Sequence, residues 1–133
     1  MPVGKLVLGV PFYGRAWAEV QPLGHGLYQP GRKPVERIET SYGQIAAVLL
    51  GRDGFIRYWD PEAQAPYLWN EARRIFISYD DPESMRLKAR YILEHQLAGA
   101  MFWQYNDDPS GALLNALYGG LHEAQQDSIE WPN

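Results

Sequence analysis

Apolar residues along this chain fall into continuous runs and periodic ones, and the switches between the two predict its elements. Residues 6–10 (LVLGV) and 100–103 are short unbroken apolar stretches, the first ended by Pro11, which predicts strands buried on both faces as in a parallel sheet. Residues 12–17 (FYGRAW) break at Gly14 and carry Tyr13, Arg15 and Trp17 away from the first strand, and residues 22–34 are dense in Gly and Pro and read as loop. Ser41 is a good N-cap for a helix with Tyr42, Ile45, Ala46 and Leu49 on one face and Gly51 as its stop. Residues 55–60 (FIRYWD), 65–70 (APYLWN) and 74–79 (RIFISY) are β-like runs joined by short connections, predicting an antiparallel meander packed on that helix. Asp81 as a cap, Pro82 at the first helical position and Glu83 at the positive end of the dipole then start a helix whose face is Met85, Ala89, Ile92 and Leu93, closed by Gly99. A last helix is predicted over 110–118, with Leu113, Leu114 and Leu117 buried and Gly119 as its stop.

The order is therefore strand, inserted α+β unit, helix, strand, helix. Two all-apolar strands separated by an insertion and a helix read as neighbouring βα units of a parallel sheet with helices outside. Two such strands bury neither edge, so their partners come from sequence outside these residues, from a second copy through self-association, or from a rearrangement of this piece. A Met followed almost at once by a strand reads as a chain cut from within a longer gene.

Composition narrows the function classes. With 46% hydrophobic and 21% charged residues the chain has globular usage, and 133 residues suffice for one core. Net charge is −4 with no run of basic residues, which argues against a nucleic-acid partner and against a polybasic membrane contact. The absence of cysteine removes disulfides and Cys-ligated zinc, and the histidines at 25, 95 and 122 lack metal spacing, so no metal and no cofactor are expected. The apolar N-terminal stretch is too short for a signal peptide or a membrane span, and the compartment stays open. Aromatic content is the unusual figure, at 14% with 5 Trp and 9 Tyr.

Ligands of α/β folds sit at the C-terminal ends of parallel strands. Tyr13 and Arg15 follow the first strand, and Trp103 with Gln104, Tyr105, Asn106, Asp107 and Asp108 ends the second. An indole ringed by amides and hydroxyls suits a sugar, whose ring has apolar C–H faces and a polar rim. Trp103 as a plain core residue is the competing reading. Arg15 reads either as a donor to a ligand oxygen or as one half of a surface ion pair. Asp107 and Asp108 read first as caps of the next helix, and Glu36 and Glu39 as solvated charges or cap partners. His25 sits between two glycines without a dinucleotide-loop context, and no phosphate-binding loop or nucleophile elbow occurs.

With those residues in view, the chain resembles the C-terminal part of glycoside hydrolase family 18, the chitinases. KLVLGVPFYGRAW (5–17) looks like the family's seventh barrel strand with its Tyr-Gly-Arg signature. APYLWN and then ISYDDPESMRLKARYILEHQLAGAMFWQYNDD (77–108) look like the end of the chitinase insertion domain, the seventh helix and the eighth strand. The resemblance implies an α+β insertion domain attached to the last βα units of a (β/α)8 TIM barrel. It divides the chain into 1–17 (strand seven and its loop), 18–79 (insertion), 80–121 (helix seven, strand eight, helix eight) and 122–133 (tail). It also implies hydrolysis of β-1,4-linked N-acetylglucosamine polymers in which the substrate's own acetamido oxygen attacks, an exception to the two-carboxylate scheme. Trp103 then matches the tryptophan under the sugar at the cleaved bond, Tyr13 and Arg15 line the same region, and Glu36 falls near an acid that the insertion lends to the sugar. The family's acid belongs to Asp-x-x-Asp-x-Asp-x-Glu, which these residues do not contain, so no catalytic residue is assigned and the chain alone is expected to be inactive. A non-catalytic chitin-binding module using Trp59, Tyr67, Trp69 and Trp103, and a structural fragment assembled by strand exchange, are the alternatives. Secretion is expected of the parent family, with no signal here.

Overall fold

A computed structural model describes residues 2–35 and 37–130, with 123–130 as backbone only. In chain order its strands are β1 (Val7–Pro11), β2 (Arg15–Ala18), β3 (Lys33–Pro34), β4 (Phe55–Asp60), β5 (Ala65–Asn70), β6 (Ile75–Ser78) and β7 (Gly99–Trp103). Its helices are α1 (Tyr42–Gln44), which widens into a further turn over Ile45–Leu49, α2 (Pro82–Glu94) and α3 (Ala112–Glu130). They make two sheets, the parallel pair β1-β7 and a five-stranded antiparallel sheet of order β3-β2-β6-β5-β4.

β1 and β7 pair from Val7 opposite Gly99 to Pro11 opposite Trp103. Alternate residues point to opposite faces of a strand. On one face, Val10 joins Phe12, Met85, Ala89, Leu113 and Leu117 in a core under α2 and α3, and Phe12 stacks on Phe102 with ring centroids 4.7 Å apart. The opposite face is bare: Val7 is 53% exposed, Met101 60% and Trp103 65%. The expectation of strands buried on both faces is thus corrected to one, because helices cover only one side of a sheet that has two strands.

The expected cap of α2 forms. Asp81 accepts from the Ser84 N–H at 2.9 Å while Ser84 Oγ accepts from the Asp81 N–H at 2.9 Å, a reciprocal capping box. Asp81 also accepts from Arg57 Nη2 at 2.7 Å, tying the antiparallel sheet to the start of α2. Asp108 caps α3 as expected, accepting from the Leu114 N–H at 3.0 Å. Gly119 does not stop that helix, which runs on to Glu130. The next residue gives the reason: a Cβ on Gly120 would lie 2.7 Å from Ala89 Cβ, so small residues here let α3 lie close against α2.

In the larger sheet the predicted meander β4-β5-β6 is present, and two further strands join it. Residues 15–18, read as an exit from β1, form β2 and pair with β6 from Arg15 opposite Ser78 to Trp17 opposite Phe76. Within the Gly- and Pro-rich segment, β3 pairs with β2. One face packs on α1 through Ala16, Ile45, Phe55, Leu68 and Ile77. The other carries aromatic stacking, Tyr58 on Tyr67 at 5.7 Å and Tyr67 on Phe76 at 5.1 Å, with His25 over Tyr58 at 4.0 Å. Tyr67 and Trp69 are buried in this arrangement, so their proposed role in holding a ligand gives way to packing.

Candidate functional site

The site forms where β1 ends and the chain crosses to β2. Trp103 closes β7, its carbonyl accepts from the Phe12 N–H at 2.7 Å, and its peptide bond to Gln104 is cis. Tyr13 makes an antiparallel bridge to Ser41. Gly14 is locked on both sides, its N–H donating to the Thr40 carbonyl at 2.7 Å and its own carbonyl accepting from Thr40 Oγ1 at 2.7 Å. A Cβ on Gly14 would lie 2.6 Å from the Ser78 carbonyl oxygen and 2.9 Å from Tyr79 Cβ, so only glycine lets the outgoing chain touch the returning one.

This crossing borders a cleft of about 450 Å³ whose lining includes Tyr13, Arg15, Trp17, Ser78, Asp80 and Lys88. Pro11 also lines it, and Pro11 is the register partner of Trp103, which places the exposed indole beside the cleft. Tyr13 and Arg15 share this cleft, and Trp103 stands at the end of the neighbouring strand, opposite Pro11. Glu36 lies outside the described residues, and Glu39 is exposed.

Charge in the cleft is largely paired. Asp80 is buried and accepts from Lys88 Nζ at 2.7 Å and from Ser84 Oγ at 2.7 Å. Behind it, burial holds the Tyr79 phenol well above its ordinary range, and the charge of Asp81 adds to the effect. Burial likewise raises Tyr42, helped by Asp81 and Asp108. Both phenols keep their protons at physiological pH. Among the described lining residues the one carboxylate is ion-paired with Lys88, so the cleft offers the aromatic faces of Tyr13 and Trp17 and the donors of Arg15 and Ser78. No group of three or more metal-ligating side chains occurs among the described residues, and no helix there is long and apolar enough to cross a membrane.

The sequence profile described as glycosyl hydrolases family 18 matches residues 1–108. The chain belongs to that family. Among curated relatives, Chitinase A1 of Niallia circulans is 41% identical over 126 residues, covering 91% of this chain and 18% of the relative. Among solved structures, a family 18 N-acetylglucosaminidase from Paenibacillus barengoltzii superposes with a TM-score of 0.81 at 45% identity, over 91% of this chain and 35% of that one. A family 18 chitinase from Cycas revoluta, solved in complex with (GlcNAc)4, superposes with a TM-score of 0.78 at 27% identity, over 90% of this chain and 34% of that one. The chain thus spans about a third or less of these family 18 relatives.

Two contributors to the cleft are not singled out by the sequence reading. Trp17 reads as part of the exit from the first strand, although Arg15-Ala16-Trp17-Ala18 alternates as a half-buried strand should, and that alternation is the available signal. The Asp80–Lys88 pair joins a loop to the middle of α2, and no local pattern announces it.

Proposed function

We propose that this chain supplies part of the substrate cleft of a chitinase-type glycoside hydrolase acting on β-1,4-linked N-acetylglucosamine polymers. In this reading β1 and β7 are the seventh and eighth strands of a TIM barrel, and the antiparallel sheet with α1 is the chitinase insertion domain, one wall of the cleft. The observation that carries it is Trp103, largely exposed at the C-terminal end of β7 opposite Pro11, which lines the cleft holding Tyr13 and Arg15. Trp103 is the floor on which a sugar ring stacks; Tyr13 and Arg15 hydrogen-bond its rim, and Glu36 adds an acceptor from the insertion. Hydrolysis is retaining and substrate-assisted, and its proton donor lies outside these 133 residues, which contain no Asp-x-x-Asp-x-Asp-x-Glu. The chain alone therefore binds without turnover.

Titration of the chain with an N-acetylglucosamine tetramer, followed by tryptophan fluorescence against a cello-oligosaccharide control, tests this. Covering about 100 Å² of indole contributes roughly 2.5 kcal/mol, so Trp103→Ala weakens binding by more than about tenfold. Equal response to both sugars, or an unchanged W103A titration, refutes the assignment. The bare face carrying Val7 and Met101 also favours self-association through the parallel strands, which a concentration series in sedimentation velocity reads directly.

A further inference from the structure

A second cleft, of about 460 Å³, opens on the aromatic face of the antiparallel sheet. It is continuous with the first, since Trp17, Ala63 and Ser78 line both. Its chemistry differs. Where the first cleft carries Arg15 and Lys88, the described lining of the second holds no lysine or arginine, and its one charged group is Asp60. Around that carboxylate stand Trp17, Tyr28 and Phe76.

The loop over this cleft is fixed in place before any ligand arrives. The Tyr28 hydroxyl donates to Asp60 Oδ2 across 32 residues of sequence. Gly26 sits so close to the Trp69 ring that a Cβ would lie 2.6 Å from it. Asp60 Oδ1 accepts from the Glu62 N–H at 3.0 Å. A carboxylate has about four acceptor positions, so Asp60, 4% exposed in the cleft wall, keeps capacity for one more donor beyond those of Tyr28, Glu62 and Ala63. Trp17 is 37% exposed and Tyr28 70%, leaving aromatic surface open to a ligand.

An unbalanced carboxylate among aromatic rings is a binding arrangement for a cation, because ring faces attract ammonium groups and the carboxylate accepts their hydrogen bonds. A neutral acetamido group can donate a single N–H to the carboxylate but brings no charge to balance it or to attract the ring faces. We infer that this second cleft is a saccharide subsite selective for a glucosamine unit with a free, protonated amine, so that a partly deacetylated chain lies with an acetylated unit at Trp103 and a deacetylated unit at Asp60. The inference rests on the reading of the first cleft for the nature of the polymer, and adds to it a preference set by Asp60.

The indole N–H signals of the 15N-labelled chain separate the two sites. A glucosamine tetramer is expected to shift Trp17, and an N-acetylglucosamine tetramer to shift Trp103. Asp60→Asn keeps an acceptor for Tyr28 but removes the charge. It is expected to weaken the glucosamine tetramer about tenfold, the usual order for a hydrogen bond to a charged group, and to leave the acetylated tetramer unchanged. Should D60N lose its folded spectrum, Tyr28→Leu, at an exposed position, is expected to weaken the glucosamine tetramer several-fold. A Trp17 signal unmoved by the glucosamine tetramer, or variants that bind it as the parent does, overturns the second subsite. A Trp103 signal unmoved by the acetylated tetramer, with Trp17 responding to glucosamine, instead overturns the reading of the first cleft and leaves the amine site standing.

Discussion

The two sheets of this chain solve the same burial problem to different degrees. The antiparallel sheet has α1 on one face and the loop carrying Gly26 and Tyr28 on the other, so Leu68, Ile77 and Trp69 are all enclosed. The parallel pair has α2 and α3 on one face and nothing on the other, and Val7, Met101 and Trp103 stand exposed. Antiparallel strands close through short hairpins within a local stretch of sequence, whereas parallel strands require long crossovers and neighbours on both edges. The local unit is therefore complete within these residues, and the distributed one is not. The residues proposed to bind sugar sit at the seam, where the complete unit lends a wall to the incomplete one.

That contrast can be broken or sharpened by substitution. Leu68→Ala, at a position with no exposure, should have the largest effect, destabilising the antiparallel sheet by about 3 kcal/mol through lost burial and the cavity left behind. Urea unfolding followed by tryptophan emission measures it. Gly14→Ala strikes the seam itself, forcing a Cβ against backbone, and should cost about 2 kcal/mol while also disturbing Tyr13 and Arg15. Its signature is a weakened response to N-acetylglucosamine tetramer together with an earlier unfolding midpoint.

Alkali should act next, and on the complete unit. The hydrogen bond to Asp60 holds the Tyr28 phenol up at about 12, against about 10 in an unfolded chain. The folded state keeps its proton where the unfolded state has lost it, so the contribution is whole below pH 10 and disappears as pH rises through about 12. Phenolate absorbance and thermal melts across that window follow it, and Tyr28→Phe should flatten the slope. Met101→Lys should have the smallest effect, within about 0.5 kcal/mol, because its side chain is already in water. A large loss there would show that the bare face is covered in solution.

Local grammar made much of this legible. The strands over 55–60 and 65–70, the Ser41 cap and the Asp81-Pro82 start all appear where propensity and capping place them. The parallel pairing of β1 with β7 was readable because short unbroken apolar runs separated by a helix have few other solutions. Three features were not readable from local pattern. The helix passes the expected stop at Gly119, and Gly120 marks close helix contact, which depends on Ala89 in another element. β2 was hidden by Gly14, whose smallness serves a contact with residues 78 and 79 rather than a turn. Exposure of one strand face depends on which neighbours exist, and an apolar run carries no record of them. For the site, Tyr13, Arg15 and Trp103 could be chosen because strand ends are where ligands go, while the Tyr28–Asp60 clamp joins residues no periodicity connects.

At Gly14 the chain leaves the parallel unit, and at residues 78 and 79 it comes back, with the two passages in van der Waals contact. Everything between them enters and leaves through a single doorway, with Arg57 on Asp81 and Tyr42 on Phe12 as further ties to the parallel unit. A segment whose entrance and exit touch can be removed and its ends rejoined by a few residues, at the cost of the Arg57 grip on Asp81 and Glu83. The antiparallel sheet thus has the form of a cassette, an element that evolution or an engineer can lengthen, exchange or delete to reshape the cleft wall while the strands bearing Trp103 stay in register.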